Sequence, residues 1–250
     1  MEAATKQYVD NCVSNYSPEA GRNIQIDKNQ GEEGKDYIHA LGYKWDKDRQ
    51  SFAIGEQGSN GNIASGNYSF AEGLNAIASG QGASSQGYNT SAQGQYSHAE
   101  GYRSITGGTK DYNDLQEGPD TNTSNGAYAH AEGNATIARG NSSHSEGKMT
   151  FADGIGAHAE GAFTRAVGTA AHAEGQETQA SASRSHAEGM YTEASAQGAH
   201  AAGYYTTASG EFSHSEGVYT TANAEGSHAE GKDCETSKAV VVSEFVGYVG

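Results

Sequence analysis

Proline is nearly missing from this chain, with 2 residues in 250, and cysteine is as scarce. Tryptophan occurs once, and lysine plus arginine total only 15. Each shortage excludes something. Two cysteines, Cys12 and Cys234, near opposite ends of the sequence, rule out a disulfide-stapled scaffold, and two free thiols are expected. The few basic residues leave a net charge of −16, which disfavours nucleic acid and anionic membrane, since both need a basic surface. No run of about 18 apolar residues is present, so no membrane-spanning helix is expected. The opening residues, Met1 to Asn11, lack the apolar core of a signal peptide. Hydrophobic residues make up 34% and are dominated by alanine and tyrosine, so a conventional core of Leu, Ile and Phe cannot be assembled.

Glycine is abundant, at 35 residues, and one phrase recurs. His-Ala-Glu-Gly or a close variant appears every fourteen residues, at His130, His144, His158, His172, His186, His200, His214 and His228. A strict short period marks a solenoid, in which each repeat is one coil stacked on the last. A disordered tract of similar composition would have no reason to hold that register.

The chain divides into an N-terminal attachment or trimerisation segment (1–50), a repeat domain (51–232), and a C-terminal segment (233–250) that caps the stack or begins a further domain. Ala3 to Val13 reads as a short helix, Asn23 to Ile26 as a strand-like piece, and 238–249 as an apolar strand. Trp45 is placed to plug the start of the stack. The first coil, from Ser51, carries about four extra residues, and an excursion from Gly107 to about Asn125 interrupts the array. Twelve coils are counted, which at roughly 4.8 Å per layer would make a rod on the order of 58 Å long.

Each coil is numbered from its His as position 1. Position 4 is always Gly from Gly73 onward, which suggests a tight turn of positive φ. Positions 2, 7, 9, 11 and 14 are small and belong inside a thin coil made of two short strands. Positions 8 and 10 vary freely and are read as solvent-facing. His at position 1 and Glu at position 3 therefore point outward, yet they do not vary. Phe52, Ile54 and Phe70 occupy the same two columns, so the face is expected to be buried against partner chains. A coil filled with Ala, Ser, Gly and Thr buries little apolar surface and needs such partners.

Ser51-Phe-Ala-Ile-Gly55 and Ala64-Ser-Gly66 resemble the head repeats of trimeric autotransporter adhesins. The Ser-His-Ala-Glu-Gly version, as at 185–189 and 227–231, is similar to repeats in phage tail fibres and appendages. The resemblance covers roughly 51–232. It implies an all-β fold, a parallel left-handed β-roll packed as a homotrimer about a threefold axis, with a short helical or irregular N-terminal segment. Residues 4–11 look like the start of segments common in phage tail and fibre proteins, so the virion is the expected location and an extracellular cell surface the alternative.

The interface ladder implied by the columns is His98, Glu100, His130, Glu132, His144, Glu146, His158, Glu160, His172, Glu174, His186, Glu188, His200, His214, Glu216, His228 and Glu230, with Phe52, Ile54 and Phe70 at its start. His-x-Glu pairs suit zinc, but an active site needs one unusual constellation rather than eight copies. The ladder is therefore read as structural, with no catalytic residue, metal or cofactor. Stacked Glu would repel, and His is expected to relieve this by hydrogen bonding or by charging as its pKa rises beside carboxylate. Candidate binding residues are Lys110, Tyr112 and Asp114 in the excursion, and Tyr204 and Tyr205 in an aromatic strip suited to a host surface glycan. Asp111, Asn113, Asp114 and Glu117 are acidic enough for calcium but not spaced as an EF-hand. A threonine column at position 7 would bind ice only if it faced outward.

Overall fold

Each fourteen-residue unit closes into one coil because small side chains alternate with outward ones along a five-residue strand and again along a two-residue strand. A computed structural model describes residues 24–28, 36–40, 43–46, 48–55, 61–108 and 126–236 of this all-β chain. Twelve coils stack in parallel as a β-solenoid, from the first pair of strands, Ser51–Gly55 and Ile63–Ala64, to the last, His228–Lys232 and Glu235–Thr236. The long strands form one face and the short strands another, each pairing in register with the coils before and after. Histidine lies on histidine and glycine on glycine, as in His144↔His158 and Gly147↔Gly161.

Three further strands precede the coils: β1 (Ile24–Lys28), β2 (Asp36–Ala40) and β3 (Tyr43–Asp46). They run antiparallel and extend the long-strand sheet, β3 pairing with β4 (Ser51–Gly55) so that Trp45 sits in register with Phe52. The described part of the N-terminal segment is thus a meander on the edge of the first coil, not a helix or an irregular tether. No helix occurs among the described residues. The expected helix at 3–13 and the strand at 238–249 lie outside them. The change from antiparallel to parallel pairing falls at β4, which is antiparallel to β3 on one side and parallel to Phe70–Leu74 on the other.

The interior is as thin as expected. Positions 2, 7, 9 and 14 are buried along the stack, with alanines such as Ala131, Ala138, Ala159 and Ala166 fully covered. At position 14, Ser69, Ser97, Ser143 and Ser185 close the corner by donating to the carbonyl three residues back, as Ser143 does to Gly140 at 2.6 Å. The excursion leaves this core intact. His98–Tyr102 pairs directly with His130–Asn134, and Ile105 with Ile137. Its two ends, Gly107 and Gly126, meet side by side. Both ends of the excursion therefore lie at one corner of the coil.

Two expectations are corrected. The constant glycine at position 4 is not in a turn. It is the fourth residue of the long strand, with φ between +100° and +127°, and an added Cβ there would lie 2.0–2.3 Å from the carbonyl oxygen of the glycine in the next coil, as Gly161 shows against Gly175. The left-handed turns are at positions 6 and 13, where φ is 52–61° at residues such as Ala135, Phe163, Tyr205, Ser142 and Ala170. Position 8 is also not uniformly in solvent. Ile77, Ser91, Ile105 and Ile137 are buried, whereas Arg165, Gln179 and Glu193 are exposed. Ile105 and Ile137 form a small apolar cluster with Phe151, and this covered stretch flanks the excursion.

Candidate functional site

The long strands carry the site. Their pleat sends position 2 into the coil and positions 1 and 3 out, so His and Glu stand side by side on each layer. In one chain these side chains are half-buried: His158 and Glu160 expose 34% and 37%. From His130 to His200 the imidazole rings lie parallel at 4.8–4.9 Å between centroids. At the flanks the rings turn edge-on, by 84° between His98 and His130 and by 85° between His200 and His214.

Pairing within a layer is loose. His98 Nε2 lies 3.1 Å from Glu100 Oε2 and His214 Nε2 3.3 Å from Glu216 Oε2, both hydrogen bonds. The gap widens to 3.6–3.9 Å at His130, His158, His172, His186 and His228. The Nε2 atoms of His130, His144, His158, His172, His186 and His200 are sealed from solvent without a hydrogen-bond partner.

The carboxylates resolve their crowding among themselves. Hydrogen bonds with Glu132 and Glu160 on either side push Glu146 up to about 7. Glu174 is raised as well, by burial first and then by Glu188 and Glu160. Glu132 and Glu160 are held low, chiefly by the hydrogen bond from Glu146. The raised Glu146 carboxyl thus donates its proton to Glu132 and Glu160. Of the two parts expected of histidine, hydrogen bonding to carboxylate occurs at His98 and His214, whereas charging is opposed in mid-row. Burial, followed by charged neighbours in the row, lowers the pKa of His144, His158, His186 and His200. Beside the row the glycine column leaves a groove of about 910 Å³, running from Glu72 to Gly161.

The remaining candidates divide. Lys110, Tyr112 and Asp114, and the acidic residues Asp111, Asn113 and Glu117, lie outside the described residues. Tyr204 and Tyr205 are exposed and belong to a cluster of four: Tyr191, Tyr205 and Tyr219 stack at 4.5 and 5.5 Å, and Tyr204 stands edge-on to all three. Phe52 and Phe70 are half-buried, with rings stacked at 6.2 Å at the start of the row, and Ile54 is half-buried beside them. Cys234 is a free thiol; Cys12 lies outside the described residues. The position 7 threonines from Thr136 to Thr220 face inward and are fully covered, so they offer no ice-binding face.

One polar pattern escaped the reading of columns. Where position 2 is Ser, its hydroxyl bonds the position 7 Thr of the same coil, at 2.7–2.9 Å in Ser85–Thr90, Ser145–Thr150 and Ser215–Thr220. Where position 2 is Ala, Thr164, Thr178, Thr192 and Thr206 are left with buried, unpaired hydroxyls. The Ser/Ala alternation was visible in sequence, but which column it faced was not.

No family model matches the chain, and no curated protein does.

Proposed function

We propose that this chain is a non-enzymatic, homotrimeric shaft of a phage tail or head fibre, with the His/Glu row of each protomer packed against its two partners. The observation that supports this best is the constancy of an outward row. Positions 5 and 6 take Tyr, Lys, Met, Glu or Ala freely, while positions 1 and 3 hold His and Glu through coil after coil. At its start the same row carries half-buried Phe52, Ile54 and Phe70, side chains suited to an apolar contact. The interior is almost wholly Ala, Ser, Thr and Gly, which gives each coil little apolar burial of its own.

In this role the solenoid projects and holds rigid, the N-terminal segment attaches to other virion proteins, and the tyrosine cluster around Tyr204 and Tyr205 is the candidate surface for a host glycan. A fragment of a bacterial surface adhesin is the alternative. A polysaccharide depolymerase is less favoured, because the carboxylates recur in a regular column instead of one singular constellation.

Light scattering on the purified chain tests the trimer: three times 26.0 kDa, about 78 kDa, is expected, and a stable 26.0 kDa species refutes it. Replacing several row histidines with alanine should then lower the melting temperature of the trimer. Immunogold labelling of virions tests the location, and a glycan array tests the tyrosine surface.

A further inference from the structure

We propose that the chain binds a transition-metal cation of the zinc class at each end of the uninterrupted carboxylate run, at His186, Glu188 and His200 and at His98, Glu100 and His130. Within each trio the candidate ligand atoms lie within 4.8 Å of one another. One chain supplies all three ligands, so the inference does not depend on the trimer.

The location follows from where the column breaks. Glu188 is in register with Ala202, and Glu100 with Gln86. Each therefore has an acidic neighbour on one side only, Glu132 beside Glu100 and Glu174 beside Glu188, and its trio is made of two histidines and one carboxylate. Glu188 reaches both: Oε2 lies 3.9 Å from His186 Nε2 and Oε1 3.8 Å from His200 Nε2, longer than hydrogen bonds. Those two Nε2 atoms, and that of His130, are cut off from water with no hydrogen-bond partner. A buried nitrogen in that state lacks something to bind.

Ligand chemistry separates these ends from the middle of the row. Two imidazoles with one carboxylate suit zinc, cobalt or nickel, whereas carboxylate-rich sets suit harder ions. The middle trios, such as Glu146, His158 and Glu160, hold one histidine and two carboxyls. The rings of His186 and His200 are parallel, within 2°, and one must turn for both lone pairs to meet an ion about 2.0–2.1 Å away. The turned arrangement already exists in the row, between His98 and His130.

The test is titration of the full chain, first stripped with chelator, with Co²⁺ followed by its visible absorption and by metal content after dialysis. Two ions per chain are expected. The chain itself supplies variants compatible with its columns: Glu100→Gln copies Gln86, and Glu188→Ala copies Ala202. Each should remove one ion by weakening its site at least tenfold, and the two together should remove both. His158→Ser, which places the residue of Ser84 in mid-row, should leave two. Absence of saturable uptake, uptake unchanged in the double variant, or equal loss in His158→Ser overturns the proposal. Should a variant fail to fold, anomalous scattering from zinc-soaked crystals of the unaltered chain decides: peaks beside Glu100 and Glu188 support it, and their absence or placement elsewhere refutes it.

Discussion

Two alanine substitutions in successive coils, five residues apart, should differ several-fold in effect. Gly156 and Gly161 both have positive φ, +63° and +103°. At Gly156 an added Cβ meets nothing within 4 Å, and the same turn position is filled by Ser142, Ala170 and Arg184 elsewhere in the stack. The cost is therefore backbone strain of about 1 kcal/mol, partly offset by the lower entropy of the unfolded chain. At Gly161 the Cβ would lie 2.1 Å from the carbonyl oxygen of Gly175, and that oxygen belongs to the backbone and has no rotamer to move to. The two coils must part by roughly 1 Å, which weakens ladder hydrogen bonds worth about 1 kcal/mol each, and the φ itself adds about 1–3 kcal/mol. A total of about 4 kcal/mol or more belongs to the rare, severe class of substitutions. At about 2–4 °C per kcal/mol for a chain of this size, Gly156→Ala should lower Tm by about 2 °C and Gly161→Ala by about 10 °C or more. Circular dichroism melts at matched protomer concentration and scan rate measure both. Melting of Gly161→Ala within 2 °C of Gly156→Ala would falsify the close-stacking argument.

Further outcomes follow from the interior and the row. Ala173→Ser should raise stability by about 0.5–1 kcal/mol by giving the buried Thr178 hydroxyl the partner that Ser145 gives Thr150, and Ser145→Ala should cost a similar amount, both read from denaturant midpoints. Because Glu146 is raised to about 7 from 4.5, its contribution is complete below about 4.5 and is lost as pH rises through 7. Glu146→Gln keeps an amide donor for both neighbours and should therefore be the more stable chain at pH 8, by about 1 kcal/mol once solvent screening is allowed for; equal melting of the two chains at pH 8 would sink the shared-proton account. The lowered histidines act in the opposite sense: their stabilisation is present above 6.5 and fades as pH falls below it, so Tm should pass through a maximum between the two effects. A monotonic pH–Tm curve from 8 to 5 would contradict that opposition.

The fourteen-residue beat was enough to establish a solenoid, the coil count, the inward columns and the outward His/Glu row, because a period-2 pleat on a fixed repeat leaves only one way to sort small side chains from large ones. Phe52 and Phe70 could be placed in the His column, and Tyr204 and Tyr205 on the surface, for the same reason. Spacing along the chain does not encode distance between coils. Only the stacked structure showed that the position 4 glycine is constant because the next coil's carbonyl occupies the place of its Cβ, and that the left-handed turns fall on Phe163 and Tyr205 instead. Only stacking set the protons of the row: Glu146 meets Glu132 and Glu160 fourteen residues away on either side, close enough to share a proton, while burial keeps the histidines between them neutral. The sequence by itself determined what each column holds and which way it faces. The tertiary structure decided what each residue meets one layer up and one layer down, because in a solenoid the nearest neighbours of a side chain are a full repeat away in sequence.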